Sequence, residues 1–408
     1  MRIPPPLRGD LLQPEGGKGI HFSAILRPTS PETRMSLGLL TAVIVIALVF
    51  TYINGFHDTA NSIATVVATK VLTPGQAVLM AAVTNLGGAL LGSAVAITIA
   101  TGLIDAGVLQ VGGQVLICAL LGAIIWNLIT WWLGLPSSSS HALIGGLCGA
   151  AFAASDGNFH AIIWATDPNH WWRGGGLIPK VLVPMVGSPI AGFVLGIVVM
   201  GGLFALFAWF GNRKGWLRRF GRTPFVNLFF GKAQLVSAAA MGVSHGMNDA
   251  QKTMGIIALA LADATLAHNF DHLPAWLHFL RISDIGGHFP IPVWVKVLCA
   301  LVMAAGTAGG GWRIIKTLGH KMVKLHPING FAAETSSAFV IIVASIFGLP
   351  VSTTHVVSSA IMGVGASKRF NAVRWTVVER MVWSWILTLP ISAFMAWVLV
   401  EASRPLWG

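Results

Sequence analysis

Charged residues are scarce in this sequence. Only 10% of its 408 residues are charged and 55% are hydrophobic, whereas an ordinary soluble domain has roughly 25% charged residues. Acidic residues number only 14, and there are three cysteines and one tyrosine. This composition excludes a disordered chain, a soluble globular domain and a disulfide-stapled scaffold. Because so apolar a chain needs lipid as its solvent, we expect an integral membrane protein in contact with the bilayer.

The few charges that are present are mostly basic. Lysine and arginine outnumber the acids by 26 to 14, which gives a net charge of +12. In a soluble protein this excess would suggest a nucleic-acid partner. Here the basic residues cluster between apolar runs, which is the pattern of cytoplasmic loops in membrane proteins. We therefore expect no nucleic-acid partner.

Long apolar runs dominate the rest of the chain. They cover residues 36–53, 76–104, 108–135, 178–210, 233–262, 290–311, 329–348 and 376–402. Two shorter runs, 141–154 and 355–366, fall below the roughly 20 residues that a crossing helix needs and are expected to enter the membrane and return. The pattern predicts an all-α membrane protein with about 10–12 crossing or half-crossing segments.

Two motifs occur twice, in the same order. Gly134-Leu-Pro-Ser-Ser-Ser-Ser-His141 returns as Gly348-Leu-Pro-Val-Ser-Thr-Thr-His355, at an offset of 214. Upstream, Asn54-Gly-Phe-His-Asp58 corresponds to His245-Gly-Met-Asn-Asp249, at an offset of 191. The 23 extra residues of the second half fit best in the polar, His-rich stretch 264–289. A duplicated membrane domain with Gly- and Pro-interrupted segments is typical of transporters, which bind substrate between two repeats.

The repeat divides the chain into four regions. Residues 1–34 form a polar leader that we expect to be disordered, and one hypothesis places the true translation start at Met35. Residues 35–210 form the first membrane half. Residues 211–232 carry six basic residues and no acid, so we expect a cytoplasmic linker. Residues 233–408 form the second half.

Three of the acids lie inside apolar sequence, namely Asp58, Asp249 and Glu334. A carboxylate at the centre of a membrane helix costs about 2.5–3.5 kcal/mol on the mildest scale, so it marks a candidate functional site. The alternative is a packing role in which Lys70 or Lys252 neutralises the acid. Because Asp58 and Asp249 occupy equivalent repeat positions, we favour function.

The two hydroxyl runs are candidate anion-binding elements. Each follows Gly-Leu-Pro and leads into a short helical stretch, where hydroxyls and free backbone N–H groups point outward. An ordinary cap needs one hydroxyl, but these runs supply six, which are Ser138, Ser139, Ser140, Ser352, Thr353 and Thr354. Two such caps meeting between the halves would surround a small oxyanion with donors.

The carboxylates favour phosphate over sulfate as that oxyanion. Phosphate near neutral pH keeps a proton that Asp58 or Asp249 could accept. Sulfate has none and would leave a carboxylate unpaired in a dry site. A sulfate permease nevertheless remains an alternative, as does a channel.

Histidines accompany both kinds of motif. His57 lies beside Asp58, where a histidine can titrate near neutral pH and suits proton coupling. His141 and His355 close the hydroxyl runs, where a structural role is equally plausible. Gly242-Val-Ser-His-Gly246 also matches the G-x-S-x-G pattern of serine hydrolases, but that pattern needs a strand–turn–helix setting. An intramembrane Ser/His enzyme is therefore a distant alternative, and we expect no catalytic residue.

These segments resemble the signatures of a known family, the PiT inorganic phosphate transporters. The resemblance runs from about residue 40 to the C-terminus and includes Asn54–Ser62, Ser244–Lys252, Gly348–His355, Gly311–Arg313 and Asn329–Glu334. It implies two inverted-topology repeats with broken or re-entrant helices, and import of inorganic phosphate by cation symport. It also implies a multi-pass location in the plasma membrane, the inner membrane of a bacterium, and a homodimer.

The resemblance assigns roles residue by residue. Asp58, Asn61, Asp249 and the two hydroxyl runs would bind phosphate. A second group would serve the coupling ion or proton, namely His57, Asp58, Asn248, Asp249 and Glu334. No resident cofactor or fixed metal site is implied.

One departure bears on the coupling ion. Much of the family has Asn where this chain has His57, and the His form is similar to the bacterial low-affinity Pit branch. Members of that branch are taken to use protons and to carry phosphate as a neutral complex with a divalent metal. We therefore expect proton coupling, with sodium symport as the alternative.

Overall fold

The computed structural model describes residues 36–105, 108–109, 112–167, 169–172, 174–282 and 290–407. The predicted leader, 1–34, lies outside the described residues. The described residues form twelve α-helices: α1 Leu37–Ala68, α2 Pro74–Ala89, α3 Ala94–Thr101, α4 Gly113–Leu133, α5 Ser139–Ala154, α6 Val183–Gly211, α7 Thr223–Leu266, α8 Val293–Gly309, α9 Trp312–Lys316, α10 Pro327–Ile346, α11 Thr353–Lys368 and α12 Trp375–Trp407. A single β-bridge, between Ile104 and Ile162, is the one departure from helix and loop in this part of the chain.

The helices have the lengths that a membrane requires. Six are long and apolar enough to cross, namely α1, α4, α6, α7, α10 and α12. The pairs α2/α3 and α8/α9 add two broken spans, bent by 69° and 59°. With the short helices α5 and α11, the described residues contain ten crossing or half-crossing segments. The prediction of an all-α, multi-pass membrane protein with broken helices is confirmed.

Polar side chains allow the chain to start and break these helices. Thr73 and Gln76 form a reciprocal cap at the start of α2, and Pro74 occupies its first turn. At the α2/α3 break, Gln251 of α7 accepts from the Val95 amide at 2.9 Å and donates to the Leu91 carbonyl at 3.1 Å. Because lipid offers no hydrogen bonds, this glutamine satisfies backbone groups that the break would leave unpaired.

Two helices extend beyond the predicted apolar runs. The run 36–53 continues as α1 to Ala68, so the Asn54–Ser62 motif lies inside a helix. Helix α7 begins at Thr223, ahead of the predicted run 233–262, so the last part of the predicted linker 211–232 is helical. Hydropathy misses the extension of α1 because residues 54–68 include polar side chains, which the structure buries against other helices. The added turns of α7 are instead largely exposed, and the basic residues around them predict a linker there.

The two halves have matching helices that pack in matching ways. Each half contains a long helix, a bent pair, a helix with a short re-entrant partner, and a long final helix. Helices α1, α2, α3, α7, α8 and α9 pack together as a core bundle. Helices α4, α5 and α12 form one side bundle, and α6, α10 and α11 form the other. Each side bundle thus contains two helices of one half and the last helix of the other. The inverted orientation of the halves stays a prediction.

The predicted insertion falls where the halves differ. Residues 69–73 join α1 to α2, whereas residues 267–292 join α7 to α8. The longer connection contains most of the stretch 264–289, of which 283–289 lie outside the described residues.

Glycines allow the core helices to approach closely. A Cβ atom at Gly88 of α2 would lie 2.0 Å from the Val243 carbonyl oxygen of α7, whereas one at Gly87 would meet nothing within 4 Å. We expect Gly88→Ala to destabilise the fold by about 1–3 kcal/mol, because the overpacked backbone cannot move away easily. Thermal unfolding in detergent, followed by fluorescence-detected gel filtration, measures this effect.

Gly87→Ala is the matched control. It adds the same methyl group one residue away and should leave the melting temperature unchanged or slightly higher. Equal losses in the two variants would show that the close α2–α7 contact is not what makes Gly88 necessary.

Candidate functional site

The hydroxyl runs begin the two short helices, as predicted. Gly134 and Gly348 end the preceding helices with φ of 66° and 65°, a left-handed conformation that favours glycine. The Ser138 hydroxyl then accepts from the His141 amide at 3.2 Å, and Ser352 accepts from His355 at the same distance. One hydroxyl in each run is therefore the ordinary cap. The remaining four are free for other contacts.

Those four hydroxyls reach the acidic motifs on α1 and α7. Ser139 donates to Asp58 Oδ2 at 2.5 Å, and Thr353 donates to Asp249 Oδ2 at 3.4 Å. Thr354 of the second half also donates to Asp58, at 3.3 Å. All of these side chains are at most 2% exposed. The structure thus brings both halves' motifs into one buried cluster.

Asn61 and Lys252 occupy equivalent positions in the two halves but differ in charge. Asn61 donates to Thr353 and Thr354 at 3.1 and 2.9 Å. The Lys252 ammonium pairs with Asp249 Oδ1 at 2.6 Å and donates to Ser140. Each side chain therefore contacts the hydroxyl run of the opposite half. Lys252 is fully buried, so the acid–lysine pair that a packing role would require is present within the site itself.

His57 extends the cluster on the first-half side. Its Nδ1 lies 2.8 Å from Asp58 Oδ1, and its Nε2 lies 3.2 Å from Thr130 Oγ1 and 3.4 Å from Ser137 Oγ. A proton on Nδ1 would be donated directly to Asp58. The second copy, Asn248, lies apart from the acids, because its side chain donates to Ser345 and the Leu349 carbonyl.

Three of these buried groups could face one cation. Asp58, His245 and Asp249 each offer a ligand atom, and these atoms lie within 4.8 Å of one another. His245 Nε2 is 3.3 Å from Asp249 Oδ2, although the angle is unsuitable for a hydrogen bond. The Lys252 ammonium already provides one positive charge to Asp249.

Glu334 lies in a different polar cluster. Thr65 of α1 donates to its Oε1 at 2.5 Å and Gln234 of α7 at 3.0 Å, while Ser237 donates to Oε2. Glu334 is 2% exposed. No contact joins it to Asp58 or Asp249, so these described residues form two polar sites rather than one.

The Glu334 cluster has no polar counterpart in the first half. The repeat offsets place four apolar residues at the corresponding positions, namely Leu120, Ile256, Val43 and Ile46. They belong to, or pack against, the apolar core. The two halves therefore differ at this site, because the second half has a buried carboxylate where the first half has an apolar residue.

His141 and His355 meet between the two hydroxyl runs. Their rings are 4.8 Å apart in an edge-to-face arrangement, and His355 stacks on Trp385 at 4.2 Å. Both are buried. This contact packs the start of α5 against the start of α11, which agrees with a structural role for the two histidines.

Several residues of the site could not be predicted from the sequence. Thr65, Gln234 and Ser237 surround Glu334 from two other helices, and Thr130 contacts His57. Nothing local marks these residues, because their partners are distant in sequence. Lys252 offers a signal, since its i,i+3 spacing places it on the Asp249 face of a helix.

A multi-pass helical membrane protein with a buried, charged cluster between two repeats belongs to the class of transporters. Comparison with known sequences then identifies the family. Residues 54–396 match the phosphate transporter family, PHO4, and this chain belongs to that family.

Individual relatives agree with this assignment. The chain is 44% identical over 356 residues to a Bacillus subtilis protein named "Probable low-affinity inorganic phosphate transporter", covering 87% of this chain and 94% of the relative. A Rhizobium meliloti protein of the same name is 42% identical over 367 residues, covering 90% and 96%. A solved structure named "The sodium-dependent phosphate transporter" shares the fold, with a TM-score of 0.71 at 22% identity, covering 90% of this chain and 100% of its own.

Family membership decides two questions that the sequence motifs raise. Because the family consists of transporters, the chain is not an intramembrane Ser/His enzyme. Ser244 of the G-x-S-x-G pattern lies within the helix α7 and donates to the Met241 carbonyl. Together with the apolar helices, the family also makes the chain a multi-pass protein of the plasma membrane.

Proposed function

We propose that this protein imports inorganic phosphate by symport with a cation, and that the cation is a proton. The observation that carries the proposal is the buried cluster in which Asp58 and Asp249 meet hydroxyls from the starts of α5 and α11. Helix starts bind oxyanions through hydroxyl and backbone donors. The cluster lies where both halves meet, which is where transporters of duplicated architecture bind substrate.

Phosphate suits this cluster because it both accepts and donates hydrogen bonds. Ser139, Ser140, Thr353 and Thr354 would turn from the acids and from Lys252 toward phosphate oxygens. A protonated phosphate oxygen would donate to Asp58 or Asp249. Sulfate cannot make that bond, and a buried carboxylate without a donor costs about 1–3 kcal/mol or more.

His57 supports a proton as the coupling ion. Its Nδ1 lies against Asp58, so a proton there would offset one carboxylate next to the bound anion. A divalent metal entering with phosphate as cargo is a second candidate. The close approach of Asp58, His245 and Asp249 favours it, because carboxylate and imidazole are good ligands for such ions.

Glu334 is proposed as a second binding site for the cation, separate from the phosphate cluster. Its carboxylate accepts three side-chain hydrogen bonds and lies away from the phosphate cluster. A cation or proton leaving Asp58 along α1 would meet Thr65 and Glu334 one helical turn beyond Asn61.

The core bundle and the two side bundles could move relative to each other during alternating access. The acids lie on α1 and α7 of the core bundle, whereas the hydroxyl runs lie on α5 and α11 of the side bundles. Movement of the side bundles against the core would open the cluster first to one side and then to the other. We also propose a homodimer in the bilayer, which light scattering of the detergent-solubilised protein would measure.

Phosphate uptake into proteoliposomes tests the function. A proton gradient should drive accumulation, whereas a sodium gradient at constant pH should not. Magnesium should be varied separately to detect a metal–phosphate cargo. Accumulation driven by sodium alone would contradict proton coupling, and full inhibition by excess sulfate would contradict phosphate selectivity.

His57→Asn separates coupling from substrate binding. Asparagine keeps a polar contact with Asp58 but cannot carry the proton, so we expect uptake to lose most of its response to the proton gradient. Binding of labelled phosphate should persist. His160→Asn, at an exposed position in the short 3₁₀ helix Phe159–Ala161, is the control and should behave as wild type. Unchanged proton dependence in His57→Asn would exclude His57 from coupling.

A further inference from the structure

A large basic cavity opens at one end of the molecule, next to the end of α1. It has a volume of about 670 Å³, and a neighbouring cavity of about 480 Å³ shares Val323, Lys324, His326 and Ala372 with it. Together they form one recess, which we call the basic vestibule. Its walls carry five cationic side chains, which are Lys70, Lys324, Lys368, Arg369 and Arg374.

These cations have no acidic partners. The residues that line the vestibule include no aspartate or glutamate. None of the five forms an ion pair with any described residue. All five side chains are exposed. A concave surface lined by unpaired charges of one sign focuses its field and concentrates ions of the opposite sign.

A polar stripe links this vestibule to the phosphate cluster. Asn61, Thr65 and Thr69 are spaced by four residues, so they lie on one face of α1. Asn61 contacts the second hydroxyl run, and Thr65 contacts Glu334. Thr69 donates to Gln234 at 2.8 Å and lines the vestibule. The stripe therefore runs without interruption from the buried site to the cavity.

The other half offers no such route. The positions on α7 equivalent to Asn61, Thr65 and Thr69 are Lys252, Ile256 and Ala260, so the stripe turns apolar after the first residue. Ile256 and Ala260 are buried in the apolar core. The polar stripe on α1 thus has no counterpart at the equivalent positions of α7.

That end also carries the basic linker. Phe230, near the start of α7, contacts Phe207 of α6 and Phe331 of α10. Residues 322–326, which precede α10, are joined to the loop before α12 by a hydrogen bond from the Arg374 amide to the Met322 carbonyl at 3.0 Å. The linker and these two loops therefore share one end. Their excess of basic residues assigns this end to the cytoplasm.

We propose that the basic vestibule is a second binding site for the phosphate anion, where phosphate is held between the buried cluster and the cytoplasm. This inference rests on the proposed function, because it assumes that phosphate is the substrate. The vestibule raises the local phosphate concentration at the cytoplasmic face and sets how readily phosphate binds from that side. It does not contribute to the binding of phosphate from the outside.

Phosphate exchange in oriented proteoliposomes tests the site. Labelled inorganic phosphate is varied at one face while the other is kept saturated, for wild type and for Lys324→Gln/Arg374→Gln. At about 0.01 M ionic strength, the half-saturating phosphate concentration at the cytoplasmic face should rise about five-fold, and at about 1 M the difference should vanish. At the outer face, wild type and variant should be the same.

Arg218→Gln/Arg219→Gln is the matched control. It removes two exposed charges from the linker at the same end without touching the vestibule, and it should leave both half-saturating concentrations unchanged. An equal rise in this control would show a general surface potential and overturn the proposal. A rise of the same size at both faces would also overturn it.

Lipid composition separates free phosphate from a lipid headgroup. The difference between wild type and Lys324→Gln/Arg374→Gln should persist in vesicles made only of phosphatidylcholine. A difference that appears only with phosphatidylglycerol would assign the vestibule to anionic lipid and overturn our proposal. Failure of wild-type exchange would instead contradict the proposed function itself.

Discussion

Asp249→Asn is expected to lower phosphate uptake by at least about 100-fold, which corresponds to a loss of about 2.7 kcal/mol. The change keeps the size of the side chain but removes its charge. Asparagine cannot accept the phosphate proton as strongly, and Lys252 would be left fully buried without its partner at 2.6 Å. Breaking one side of a buried pair typically costs about 3–5 kcal/mol. Uptake into proteoliposomes, normalised to the inserted protein, measures the effect.

The variant should still reach the membrane, because the spans that direct insertion are unchanged. Asp167→Asn is the control, since Asp167 lies in an exposed loop and makes contacts only within it. It should transport at the wild-type rate. A normal rate in Asp249→Asn would remove Asp249 from the proposed mechanism.

Lys252→Met, alone and combined with Asp249→Asn, is expected to separate stability from transport. The single change leaves Asp249 buried and unpaired, so both the melting temperature and uptake should fall sharply. The double change removes both charges, so the melting temperature should recover in large part. Uptake should stay at least about 100-fold below wild type, because the groups that face phosphate are gone. Melting curves and uptake are measured on the same preparations.

This pair of variants decides between function and packing. If Asp249 and Lys252 served only to neutralise each other, the double variant would transport normally. Lys214→Met, an exposed lysine in the linker, controls for the loss of a positive charge and should behave as wild type.

The sequence predicts the parts of the site that the duplication repeats. Asp58 and Asp249 stand out because acids are rare in apolar sequence and because these two share a repeat position. Ser138 and Ser352 follow from the chemistry of helix starts, and the structure places each as a cap. Local rules suffice in these cases, since capping depends on residues within one turn.

The remaining features depend on contacts between distant helices. The Glu334 cluster has no repeat and draws Thr65 and Gln234 from separate spans, so no periodicity reveals it. Gln251 satisfies the α2/α3 break from another helix, and its sequence position gives no sign of this.

The side bundles exchange their last helices between the halves. Gly149 of α5 meets the Ala393 carbonyl of α12 so closely that a Cβ atom would lie 2.0 Å from it, and Gly363 of α11 meets Phe193 of α6 at 2.1 Å in the same way. A protein made of one half could bury these glycine faces only by pairing with a second copy and swapping its final helix. We therefore expect neither half to fold as a monomer when it is expressed alone, because each half lacks the helix that completes its own side bundle.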